Sequence, residues 1–288
     1  MTFGQQPQGG NAQRNQFNNT AQPQYGQNQY GYQYGQAQYA PQGGNYAYSP
    51  VDGTTAINTQ ATYSYEEAER SSVSRAYAEM TIGLVVTAVV AVLTQMSGAY
   101  LALVRATGMI GAFAPLVVEI VLAVYLSARI DKMKVSTARI MFYVYAALMG
   151  FTLSTIFMAY NLGTIGISLA LCAGFFFALT MFARTTKFNM LKAGPVLFVA
   201  LIVLIVAEVL LMIFAPGNTT LMLVSAIGLV LFAGMTVYDA QKTRAMLDQY
   251  RNQGPEMVKK VSILCALSLY LDFVNMFLYI LQLLGNRD

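Results

Sequence analysis

Four carboxylic acids lie inside stretches that are otherwise almost free of charge: Glu119, Glu208, Asp239 and Asp272. A charged Asp at the centre of a membrane helix costs about 2.5–3.5 kcal/mol on insertion scales, so such a group is protonated, paired or turned to water. Two chemistries fit each of them: proton or ion handling, or a neutral acid bonded between helices. Around Asp272 the sequence reads SLYLDFVNMFLYIL (268–281). Asn275 and Tyr279 follow at i+3 and i+7, on the same helical face. That polar stripe is expected to face the interior of a bundle. The chain has no His, which removes the commonest general base and metal ligand.

The elements that hold these acids are read from the gaps between charges. The chain of 288 residues is 56% hydrophobic and 10% charged, with a mean hydropathy of +0.48. Soluble domains carry about 25% charged residues, so the composition points to a membrane protein. Residues 80–104 hold no charge, 106–128 only Glu119, 140–183 none, 193–238 only Glu208, and 261–286 only Asp272. A helix needs about 20 residues to cross the hydrocarbon. Breaks at Asn161-Leu-Gly163 and Pro216-Gly-Asn218 divide the two longest runs. Seven spans are predicted: 80–103, 107–128, 140–160, 164–183, 194–215, 219–240 and 261–284. Cys172 and Cys265 fall in apolar runs and read as reduced packing residues.

Lys and Arg set the orientation. Arg129, Lys132, Lys134 and Arg139 follow span 2. Arg184, Lys187 and Lys192 follow span 4, and Lys242, Arg244, Arg251, Lys259 and Lys260 follow span 6. The alternate loops hold only Arg105. By the positive-inside rule the basic loops and the N-terminus are cytosolic, with the C-terminus on the far side of the membrane. The modest net charge of +4 is a topology signal, not a nucleic-acid footprint. Residues 1–60 form a Gln/Gly/Tyr-rich tail with almost nothing to bury, expected to be disordered. Residues 61–79 read as a helical lead-in, and 80–285 as the transmembrane domain.

Depth separates the acids. Asp272 lies 12 residues beyond Lys260, about 18 Å along a helix, at mid-membrane, as do Glu119 and Glu208. Asp239 lies three residues before Lys242, nearer the cytosolic end. By this count it sits about 13 Å from Asp272's level. No Gly or Pro stops AQKTRAMLDQ, so the span is expected to run on past Lys242.

The segments LSLYLDFVNMFLYIL and VYDAQKTR (237–244) resemble the two signature segments of the Bax inhibitor 1 (transmembrane Bax-inhibitor-motif) family, whose bacterial members are YccA-like. The resemblance covers roughly residues 75–285. It implies an all-α integral membrane fold in which six helices surround a central seventh. It implies that Asp239 and Asp272 form a proton-sharing pair, and that Arg129 is the latch that holds a pore shut. Two carboxylates side by side in a dry site do not both ionise easily and titrate as a unit. With one shared proton the pair carries one negative charge, which Arg129 would neutralise. Loss of the proton would call for water or a cation.

Ca²⁺ prefers oxygen ligands and tolerates irregular geometry, so the expected activity is a pH-sensitive calcium leak. The pair would be a weak, transient calcium site, and no cofactor is expected. The alternative implied by the bacterial relatives is a non-conducting regulator of a membrane-bound AAA protease. An enzyme is not expected. Presenilin-type aspartyl proteases carry GxGD at the second acid where this chain has LYLD, and without His there is no Ser–His chemistry.

Overall fold

The computed structural model describes residues 55–214 and 217–285. Of the tail expected to be disordered over 1–60, residues 1–54 lie outside them, and residues 55–60 are helical, forming the start of α1. All the regular structure among the described residues is helical: α1 (Thr55–Ser97), α2 (Ala99–Thr107), α3 (Met109–Arg129), α4 (Val135–Leu153), α5 (Ile156–Ala159), α6 (Leu162–Thr185), α7 (Gly194–Phe214), α8 (Asn218–Gln249) and α9 (Pro255–Leu284). Seven of these segments are long and apolar enough to cross a membrane, in the order the charge gaps predict.

The first span differs from its predicted limits. The lead-in and the span are one continuous helix that ends at Ser97, not at 103. Gly98 follows at φ 65°, a left-handed conformation that stops the helix, and α2 then runs separately to Gly108 at φ 64°. The sixth span runs on to Gln249, as the absence of a breaker suggested. Asn161 starts α6 as its N-cap, its side-chain oxygen accepting from the Thr164 N–H at 2.8 Å. Gly254 at φ 94° turns the chain into Pro255, which opens α9 with a ring already set for helix.

The seventh span is the axis of the bundle. Of its membrane-spanning window 72% is buried, while no other span exceeds 33%. α9 packs on α8, α1, α6, α4 and α3, and α7 docks on α8 at the periphery. Tyr270 anchors the middle, with Phe142 and Tyr145 edge-on at 5.7 and 5.9 Å. Its hydroxyl lies 2.6 Å from Thr87 Oγ1, which is also 2.8 Å from the Ala146 carbonyl. One threonine thereby joins α1, α4 and α9. Helices α1 and α4 come close because Gly150 faces the backbone of Thr87, where a Cβ would collide. The outward faces of α3, α6 and α7 carry Val117, Ile120, Val121, Phe177, Val199 and Val203, all more than half exposed. Such a continuous apolar belt is stable only in hydrocarbon.

Candidate functional site

Asp239 and Asp272 meet in the interior. Asp239 projects from α8 and is 7% exposed, and Asp272 projects from α9 and is 1% exposed. Their carboxyl groups come within hydrogen-bonding contact of each other. An ionised carboxylate only accepts, so a bond between two carboxyl groups needs a proton on one of them. Asp272 Oδ2 has no partner among the described residues. A buried oxygen in that condition is costly, and a proton or a water relieves it.

Lys242 is the cation at this pair. One turn on from Asp239 along α8, its Nζ lies 3.9 Å from Asp239 Oδ1. The side chain passes over the Tyr238 ring, 5.4 Å from the centroid, and is 41% exposed. It thus reaches from the pair towards the water-facing end of the bundle, as a long basic side chain does at a membrane boundary. Beside the pair is a cavity of about 140 Å³, lined by Ser127, Asp239, Lys242, Thr243, Cys265 and Ser268 among others. Its hydroxyls and charges make it a place for water.

The structure does not bring Arg129 to the pair. Leu126 and Ile130 are the buried residues at that end of α3, and Arg129 lies on another face of the same turn, exposed. No ion pair or hydrogen bond engages it among the described residues. Its membrane level was legible from the sequence, whereas the side of the helix it occupies is set by packing. Lys242 was counted with the basic residues after span 6, and the helix that runs on past it to Gln249 sets it beside Asp239.

The remaining predicted polar residues form separate ties. Glu119, buried on α3, accepts from Thr152 Oγ1 at 2.9 Å on α4. Glu208 on α7 accepts from the Tyr279 hydroxyl at 2.6 Å. Asn275 donates to the Leu271 carbonyl of its own helix at 2.8 Å. The stripe Asp272, Asn275, Tyr279 therefore faces inward in part, and its members serve three different partners. A further buried acid was missed. Glu79 on α1 accepts from Arg139 Nε at 2.8 Å and from the Tyr143 hydroxyl at 2.6 Å. Its signal was the unbroken helical pattern from 61 onward, which carries the span below residue 80.

Among the described residues no cluster of three or more His, Cys, Asp or Glu could hold a metal ion. Two carboxyls and one ammonium can store a proton, exchange it with cavity water, and meet a cation briefly when both acids are charged. They cannot cage one.

A seven-span bundle wound on a buried, acid-bearing last span defines a polytopic membrane protein with a titratable centre. The sequence model of the family described as "Inhibitor of apoptosis-promoting Bax1" matches residues 69–288, and the chain belongs to that family. The inner membrane protein YbhL of Escherichia coli K12 is 36% identical over 214 residues, covering 74% of this chain and 91% of that one. An uncharacterized protein of Rickettsia prowazekii is 32% identical, with 81% of this chain and 97% of its own covered. One from Borreliella burgdorferi is 33% identical over 74% of this chain and 91% of its own.

Proposed function

We propose that this protein is a pH-sensitive cation leak, with calcium as the permeant ion and the Asp239–Asp272 pair as the element that responds to protons. The observation that carries the reading is the pair itself: two carboxyl groups in contact, buried within the bundle, with a lysine at 3.9 Å and a polar cavity alongside. With one proton shared, Lys242 balances the single negative charge and the centre is stable dry. With the proton gone, two negative charges face one exposed ammonium. Water or a cation must then enter, because unbalanced charge in a low-dielectric site is expensive. Lys242 takes the balancing role that the resemblance assigns to Arg129. Two carboxyls offer Ca²⁺ too few oxygens for tight binding, which suits passage and not storage. No catalytic group is required.

The E. coli relative is named an inner membrane protein. Together with the basic loops, that supports placement in the inner membrane with the basic end in the cytosol.

Purified full-length protein in liposomes carrying a calcium-sensitive dye tests the reading. Calcium entry that changes with pH between 6 and 8, and is absent from empty liposomes, is the expected result. Protein that is folded but passes no cation at any pH overturns it. In that case the pair is a structural tie, and regulation of a membrane-bound AAA protease becomes the leading function.

A further inference from the structure

A second polar cavity, of about 540 Å³, lies between α1, α6 and α8. Three arginines line it, one from each helix: Arg70, Arg184 and Arg244. Among the described residues no carboxylate lines it, and none of the three arginines takes part in an ion pair or hydrogen bond. Ser74, Thr180 and the Tyr77 phenol add hydroxyls, and Phe177 and Met181 add an exposed apolar wall. α1 and α6 each pack on α8 and α9 rather than closely on one another, which leaves the gap.

Three like charges around one cavity repel each other, and nothing along its walls offsets that repulsion. Guanidinium groups present forked donors that fit phosphate oxygens two at a time. Basic pockets between membrane helices are the recurrent form of anionic headgroup sites. We propose that this cavity binds a phosphate-bearing anion, held by Arg70, Arg184 and Arg244. The phosphate can come from an anionic phospholipid, whose chains would lie along Phe177 and Met181, or from a free phosphate compound in solution. The site is separate from the aspartate pair and stands whether or not the protein conducts.

Delipidated full-length protein in detergent, titrated and read by native mass spectrometry, tests this. The probes are phosphatidylglycerol, phosphatidylcholine and inorganic pyrophosphate. One molecule of phosphatidylglycerol is expected to bind at concentrations where phosphatidylcholine does not. Arg184→Gln and Arg244→Gln should each weaken it about tenfold, the worth of one charge-assisted contact. Lys187→Gln, on the adjacent loop outside the cavity, should leave binding unchanged. Arg184→Lys, which keeps the charge but loses the fork, should fall in between. Pyrophosphate that binds with the same arginine dependence, while the lipid does not, also supports the site and identifies a soluble ligand. Equal retention of phosphatidylcholine overturns the proposal, as does equal loss in Lys187→Gln, which would mark diffuse attraction to the basic end.

Discussion

Replacing Asp272 by Asn removes one ionisable group and almost nothing else. The side chain is 1% exposed and in contact with Asp239. The amide keeps its shape, can still donate to Asp239, and cannot ionise. The fold should survive, with a stability change on the order of 1 kcal/mol, the net worth of one hydrogen bond. Asp239 keeps Lys242 at 3.9 Å. At that distance the attraction is about 4 kcal/mol at an effective dielectric of 20. The lysine is 41% exposed, so water reduces this to roughly 1 kcal/mol.

The gating consequence is sharper. Each pH unit changes the free energy of releasing one proton by about 1.4 kcal/mol. A gate set by one shared proton therefore changes flux by at most about tenfold per pH unit, or about a hundredfold between pH 6 and 8. In Asp272→Asn the same range should give less than about a twofold change, whatever the absolute flux, since the titrating unit is gone. Asp239→Asn should behave alike, and the double variant should match the singles because the two residues act together. Dye-loaded proteoliposomes, normalised for protein and checked by thermal unfolding, measure this directly. A wild-type pH slope in a folded Asp272→Asn variant would refute the gating role and leave the pair as a tie between α8 and α9.

Lys242→Gln should raise the resting leak several-fold, because it removes the cation at the pair. Arg129→Ala should leave it within about twofold, since that side chain faces away; the opposite ranking in the same liposome assay would return the latch to Arg129. Gly228→Ala puts a methyl group into the Tyr279 ring, displacing the hydroxyl that donates to Glu208. A loss of about 1–3 kcal/mol is expected from such overpacking, seen as a lower unfolding temperature, and no loss would mean that α8 and α9 separate easily there. Orientation can be read by cysteine labelling, because Cys172 and Cys265 are both buried and give a silent background. Leu162→Cys should react with an impermeant thiol reagent from outside the cell and Lys187→Cys only after lysis, and the reverse pattern would invert the topology.

The span count was legible because charge is so costly in hydrocarbon that its absence marks every crossing, whereas the central place of the last helix was legible through the family resemblance. The Asp239–Asp272 contact was legible only through the family resemblance, since helical depth alone set the two acids about 13 Å apart. A sixth span that continues to Gln249 carries Asp239 into the interior. Rotation about a helix axis was not legible. Arg129 and Ser127 lie within a turn of each other, yet Ser127 lines the cavity and Arg129 does not. Neighbours elsewhere in the sequence decide that. The arginine cavity was hidden for the same reason: Arg70, Arg184 and Arg244 come from three distant segments, and Arg184 and Arg244 read alone as topology signals.

The helix at the centre of the bundle is translated after the six it holds together. Chains enter the membrane from the N-terminus as they are made, so α1 to α8 are inserted while their common core is still missing. In that interval Glu208 waits for Tyr279, Ser225 for Gln282, and Asp239 for Asp272. Polar groups left unsatisfied in hydrocarbon cost several kcal/mol each, so the half-made bundle must stay loose or admit water. A ribosome that stops before Pro255 therefore leaves no smaller working version of the protein. It leaves six helices with their partners missing, which is what the membrane's proteolytic surveillance removes.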